Sequence, residues 1–185
     1  MIKELLGDTV DTLHFDEAWL PHATFHDFYR GMHAIGRDRP RAENALVFAT
    51  QSTHKLLAGL SQASQILVQD AQNRKLDFHR FNEAYLMHMS TSPQYAIIAS
   101  CDIAAAMMEP PGGTALVEES IVEALDFRRA MRKVDAEFGD SWWFKVWGPE
   151  KLADEGIGER EDWVLTANDR WHEFGSIAPG FNMLD

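Results

Sequence analysis

The sequence predicts an α/β fold in which a few short strands form an incomplete, mainly parallel sheet with flanking helices. Three observations point there. Ala45-Leu46-Val47-Phe48-Ala49-Thr50 is a continuous apolar run of the sort found in strands covered on both faces. Val10-Asp11-Thr12-Leu13-His14-Phe15 shows the alternation of a half-covered strand. Beyond the break Pro110-Pro111-Gly112-Gly113, the residues Val117, Ile121, Leu125, Met131, Val134 and Phe138 fall near one face of a long helix. With 185 residues, 45% of them hydrophobic and 11% aromatic, the chain can bury one domain core.

The first strand delivers Asp16 at its carboxyl end, where Asp16-Glu17 can turn the chain. Residues 18–36 are rich in aromatics and histidine, and Arg37-Asp38-Arg39-Pro40-Arg41 breaks them with charge and a proline, so this stretch reads as a loop. The second strand, Ala45 to Thr50, runs into Gln51-Ser52-Thr53-His54-Lys55. Ile66-Leu67-Val68-Gln69 is a third strand, closed by the polar residues 70–75. Phe81 to Met89 and Tyr95 to Met108 have helical composition. Pro93 between them suits a first helical turn, where its missing N–H would have no partner anyway. Thr114 is the expected N-cap of the last helix and Gly139 its terminator. Met87, Met89, Met107 and Met108 are assigned to the core, and Cys101 to a small buried packing position.

Composition excludes several classes. The formal net charge is −12 and the pI near 5.0, a surface that repels nucleic acid. A single cysteine excludes an intramolecular disulfide framework and fits a reducing compartment. No apolar run approaches the ~20 residues that span a bilayer, and the first residues lack a signal-peptide stretch, so a soluble cytoplasmic protein without a membrane partner is expected. Residues 101–185 carry 8 basic and 18 acidic side chains, against 9 and 11 in residues 1–100. The acidic excess therefore marks a change of role near the Pro-Pro-Gly-Gly break, from a sheet-forming portion to a solvated outer layer.

The informative stretch for chemistry runs from Thr50 to Ser64. A lysine directly after a buried strand is expected to lose hydration, which favours the neutral amine. A neutral amine is a nucleophile that forms a Schiff base with an aldehyde, and such strand-end lysines suit pyridoxal phosphate. Ser52 and nearby backbone N–H groups can bind a phosphate, and His54 can stack, donate or shuttle a proton. Asp16, at the end of another strand, supplies the complementary group. Pyridoxal phosphate draws electrons best with its ring nitrogen protonated, and a carboxylate holds that proton. In open α/β sheets ligands collect at strand carboxyl ends.

Ser52-x-His54-Lys55 followed by Ala58-Gly59-x-Ser61-Gln62-Ala63-Ser64 resembles the cofactor-attachment signature of the bacterial Orn/Lys/Arg decarboxylase family. His14-Phe15-Asp16-Glu17-Ala18-Trp19 is similar to that family's strand bearing the pyridine-nitrogen aspartate. Phe81-Asn82-Glu83-Ala84-Tyr85, Thr91-Ser92-Pro93-x-Tyr95, Ala99-Ser100, Trp142-Trp143-Phe144 and Trp171-His172-x-Phe174 follow in the family's order. The resemblance implies the fold-type I major domain of pyridoxal-phosphate enzymes. Residues 1–110 would be its C-terminal half, and residues 111–185 a helical, aromatic and acidic outer segment leading toward a C-terminal domain. It implies decarboxylation of arginine, lysine or ornithine to the corresponding amine.

In that reading Lys55 carries the cofactor and Asp16 meets its ring nitrogen. Ser52 and His54 lie against phosphate and cofactor, and Ala18 and Trp19 line the pocket near the ring. Thr91 and Ser92 reach the cofactor phosphate of a neighbouring subunit, making the site a property of a homodimer or higher oligomer. Family members are several times longer, so the resemblance also implies a fragment with weak cofactor binding and little activity alone. Glu17 is a candidate for the substrate's distal cation only through its place beside Asp16.

Two rival readings accompany this one. His22-x-x-x-His26, with His33 and Asp27 nearby, has the spacing of a zinc pair, although Pro21 and the absence of a partnering glutamate argue against it, and no metal is expected. The other is a non-catalytic remnant serving as an interaction surface, with Trp142, Trp143 and Trp147 as an aromatic patch.

Overall fold

The computed structural model of the chain describes residues 2–29, 31–37 and 39–144. These residues fall into two compact units. One is built on residues 2–25 and on described residues between 31 and 110, and the other on His26–Tyr29 and residues 111–144.

The first unit opens with a short helix α1 (Ile2–Leu6) and contains the sheet: β1 (Thr12–Asp16), β2 (Leu46–Gln51) and β3 (Gln65–Gln69), in the order β1-β2-β3. β1 and β2 are parallel, with Leu13 opposite Val47 and Asp16 opposite Thr50. β3 runs antiparallel to β2, with Gln51 opposite Gln65. The expected mainly parallel sheet is therefore mixed. The reason is the connection: a parallel return needs a crossover of about a dozen residues or more, usually a helix. Residues 52–64 hold only one helical turn, α2 (Thr53–Leu56), and bring the chain straight back.

Side-chain alternation gives the sheet two different faces. On one, Val47, Ala49 and Gln51 are buried, and Val47 packs with Ala34, Ala42, Ala45, Val10, Leu13, Phe15 and Ile35. Much of this core is alanine, which lets the long connection between β1 and β2 lie close to the sheet. The other face carries Thr12, His14 and Asp16, exposed, beside the half-buried Leu46, Phe48 and Thr50. β2 is thus fully covered on one side, where the apolar run predicts two. Phe48 on this second face stacks on Phe81 at 6.0 Å, and Phe81 on Tyr85 at 6.1 Å.

Those rings belong to α3 (Phe78–His88), which starts earlier than its composition suggests because Asp77 caps it, accepting from the N–H groups of His79 and Arg80. α4 (Tyr95–Met107) is capped at Gln94, so Pro93 lies before the helix and not in its first turn. α4 is apolar on every side, yet only Ser100 and Ala104 are buried. Met87 is 81% exposed, and Met89 and Met107 are exposed too; of the four methionines assigned to the core, only Met108 is buried. A helix apolar all round belongs in an interior, and the described residues supply only part of one.

In the second unit, α5 (Gly112–Phe138) buries Val117, Ile121 and Leu125, while Met131 and Val134 are half-buried and Phe138 is exposed. The predicted stripe therefore holds in the first half of the helix and fades in the second. α5 begins at Gly112 with Pro111 as N-cap, ahead of the expected Thr114. Gly139 ends it at φ +53, a conformation that suits a residue without Cβ. Trp143 is 84% exposed and packs edge-on against Phe144. Trp147, Trp171, His172 and Phe174 lie outside the described residues.

Candidate active site

Asp16 closes β1 directly opposite Thr50 in β2, so the two parallel strands present their carboxyl ends together. One oxygen of Asp16 accepts the N–H of Ala18 at 3.0 Å, a local turn of the chain. Among the described residues nothing bonds its second oxygen. Two strand positions back on the same face, His14 Nε2 is 3.2 Å from the hydroxyl of Thr50. Neither His14 nor Thr50 stands out in the sequence, although the period of two that joins His14 to Asp16 is the available signal.

β2 leads at once into the lysine loop. Lys55 N–H donates to the Ser52 carbonyl at 3.2 Å to form the single turn α2, while the Ser52 hydroxyl makes no capping bond. The carbonyl of Ala63 accepts twice from His54: from its backbone N–H at 3.3 Å and from Nδ1 at 2.7 Å. A carbonyl only accepts, so Nδ1 carries the proton in this bond and Nε2 is the nitrogen left to meet another group. The carbonyl is aimed by a tight return in which Gln62 adopts φ +76.

Lys55 is exposed. The expected loss of hydration does not occur, because the turn Thr53–Leu56 carries the side chain off the sheet instead of into the core. Its Nζ stands 4.6 Å from the centre of the Trp19 ring, itself 64% exposed, and a ring face attracts the charged ammonium. Asp16, Ala18, Trp19, Ser52, His54 and Lys55 thus all belong to the segments that leave the carboxyl ends of β1 and β2. Thr91 and Ser92 are exposed in the connection between α3 and α4, where the Ser90 hydroxyl accepts the Ser92 N–H at 3.1 Å; no described bond joins them to Asp16 or Lys55.

Two supports of this corner have roles that the sequence does not reveal. The first is on α4. The Ser100 hydroxyl accepts the Leu60 N–H at 2.9 Å and donates to the Ile97 carbonyl at 2.7 Å, and Cys101 Sγ lies 3.4 Å from the hydroxyl of the buried Thr53. Cys101 is only partly buried, and it is a hydrogen-bonding neighbour of the loop as well as packing. The second support is Glu17, which is 4% exposed with both oxygens engaged, one by the Ala34 N–H at 2.7 Å and one by Gln51 Nε2 at 2.8 Å. It points to the opposite face from Asp16, as adjacent strand residues do, and is therefore not available to a substrate cation.

Two histidines of the zinc alternative, His26 and His33, have protein partners. His33 Nε2 bonds the Leu20 carbonyl at 2.5 Å; His26 Nδ1 accepts the Phe28 N–H, and its Nε2 lies 3.5 Å from Glu118. Among the described residues no three His, Cys, Asp or Glu side chains are grouped to hold a metal ion. Burial foremost, and the nearby His33 second, keep the His22 pKa below its ordinary value. A concavity of about 360 Å³ lies at the other end of the sheet, where Asp11 and Asn44 precede their strands and Arg74 pairs with Asp11 at 3.0 Å.

The chain is thus an α/β polypeptide that presents an amine and a carboxylate at one end of two parallel strands. It belongs to the Orn/Lys/Arg decarboxylase family, whose major-domain description matches residues 1–185. It is 53% identical to lysine decarboxylase LdcA of Pseudomonas aeruginosa over 100% of this chain and 25% of that protein. It is 43% identical to the biodegradative arginine decarboxylase of Escherichia coli over 99% of this chain and 26% of that protein. Its structure matches lysine decarboxylase A from Pseudomonas aeruginosa with a TM-score of 0.81 over 97% of this chain and 24% of that one. The lysine decarboxylase LdcF of Francisella novicida matches at 0.79 and 39% identity, over 96% of this chain and 23% of that one. The chain therefore spans about a quarter of the length of the relatives it matches. No helix among its described residues is long and apolar enough to cross a membrane.

Proposed function

We propose that this chain supplies the lysine and aspartate arms of a pyridoxal-phosphate-dependent decarboxylase acting on a basic amino acid. The observation that carries this reading is the Lys55–Trp19 contact, which joins the segments that follow Asp16 in β1 and Thr50 in β2, partners in the sheet register. The residues fit the cofactor: an accessible primary amine, a carboxylate with one oxygen uncommitted, a hydroxyl at Ser52 free of capping, and an imidazole at His54 with a fixed tautomer. When bound, pyridoxal phosphate supplies the electron sink that lets the substrate's Cα–carboxylate bond break.

The chain's own residues have simpler tasks. Lys55 would hold the cofactor through its amine and yield that place to the substrate amine. Asp16 would keep a proton on the ring nitrogen through its uncommitted oxygen. Ser52 and His54 would stand on the phosphate side, the latter offering Nε2. Ala18 and Trp19 would line the ring side and shield it from water. Thr91 and Ser92 would serve the site of a partner subunit in a homodimer or larger assembly. The relatives named as lysine decarboxylases support lysine as the first substrate to try, ahead of arginine and ornithine. Because the chain spans a quarter of those relatives, we expect little turnover from it in isolation.

The test is covalent labelling. The protein is incubated with pyridoxal phosphate, reduced with borohydride and mapped by mass spectrometry. A label on Lys55 that Lys55→Ala removes is expected. A folded wild-type protein without label at Lys55 would leave the alternative, a non-catalytic interaction remnant.

A further inference from the structure

We propose that Glu17 is a positioning residue for the Asp16–Lys55 corner, acting through Gln51. A carboxylate only 4% exposed is costly unless its oxygens are hydrogen-bonded, and here each is. Oε1 accepts the Ala34 N–H at 2.7 Å and Oε2 accepts Gln51 Nε2 at 2.8 Å, while the backbone N–H of Glu17 donates to the Thr50 carbonyl at 2.9 Å. The chain of bonds goes on: Gln51, also 4% exposed, accepts Gln65 Nε2 at 2.7 Å through its own Oε1.

The place of these residues gives the network its meaning. Asp16 is the residue before Glu17, the lysine loop leaves the sheet after Gln51, and it returns at Gln65. Glu17 is therefore the side chain that ties the start of the segment after β1 to the neck of the lysine loop, on the buried side of the sheet. Both Glu17 oxygens act as acceptors, so the Gln51 amide turns its NH2 inward and its oxygen toward Gln65. Removing those acceptors leaves two buried N–H groups without a partner and frees the ends of β1 and β2 to shift against each other. A neutral amide at position 17 is tolerable, because the amides of Gln51 and the exposed Gln65 can both reverse and restore every bond.

This inference rests on the reading of Lys55 and Asp16 given above, and its test separates the two. Wild-type protein, Glu17→Leu, Glu17→Gln and Gln65→Leu are compared for thermal midpoint without ligand, for the visible absorbance band that grows on adding pyridoxal phosphate, and for borohydride-fixed label on Lys55. Glu17→Leu is expected to weaken the pyridoxal phosphate affinity read from the band by about tenfold or more, the size that loss of a supporting partner has at metal sites. Glu17→Gln should restore most of it. Gln65→Leu, an exposed change that leaves the fold intact, should weaken it in the same direction with little change in thermal midpoint. Wild-type band and label in folded Glu17→Leu, or in Gln65→Leu should Glu17→Leu not fold, would overturn the positioning role and leave a purely structural one. A wild-type protein without band or label overturns the reading of Lys55 itself, and the role of Glu17 with it.

Discussion

The ammonium of Lys55 stands 4.6 Å from the centre of the Trp19 ring. Trp19 follows Asp16 by three residues and Lys55 follows Thr50 by five, while Asp16 and Thr50 are partners in the sheet register. The contact therefore closes a circuit from one strand end to the other, and it makes a specific energetic demand. Both groups are exposed, so Trp19→Ala should cost no more than about 0.5–1 kcal/mol of stability, as measured by urea unfolding. The same variant should reduce labelling of Lys55 by pyridoxal phosphate. A large stability loss with unchanged labelling would mean that the ring serves packing and not the amine.

Ser100 ties α4 to the lysine loop through its bond to the Leu60 N–H. Ser100→Ala leaves that N–H without its acceptor, and a loss of about 1–3 kcal/mol is expected. Hydrogen exchange should show the Leu60 amide opening more than its neighbours. Protection as in the wild type would mean that another acceptor takes over.

The loop is packed tightly at one point and strained at another. A Cβ on Gly59 would come within 3.2 Å of the Ala63 side chain and of the Thr53 backbone, so Gly59→Ala should destabilise by about 1–3 kcal/mol. Gln62, at φ +76, occupies the left-handed region that costs a non-glycine residue about 1–2 kcal/mol. Gln62→Gly should raise the thermal midpoint, though its gain is reduced by the extra entropy of the unfolded chain. Opposite signs for two substitutions three residues apart are the expected signature.

His22 makes stability depend on pH. Its folded pKa lies below the ordinary 6.5, chiefly through burial and then through His33, so as pH falls below 6.5 the unfolded chain takes up the proton first. Stability is complete above 6.5 and declines as pH drops toward the folded value. Urea midpoints taken above and below 6.5 should separate, and His22→Gln should bring them closer.

The proposed pair, Lys55 and Asp16, can be picked out in the sequence because its chemistry is local: an amine just past an apolar strand, an acid at the end of an alternating one. What surrounds it was less legible, since it depends on geometry across the sheet. The sense of β3 was readable in principle, because residues 52–64 are too poor in helix for the usual parallel return. The exposure of Lys55 was not, because one helical turn decides which way the side chain leaves. Ser100 and Gln65 carry no chemical signature and are found only when the chain is folded. Met87 on α3 and Met107 on α4 look like core by type and are exposed, since residue type does not say which face of a helix is covered.

The lysine loop begins and ends on one register pair, Gln51 and Gln65, which are also joined side chain to side chain. A noose knotted at its neck cannot be paid out by sliding the strands. Any travel of the Lys55 amine must come from its own flexible four-carbon stem and from the bend at Gln62, so capture and release of a carbonyl compound would leave the sheet itself at rest.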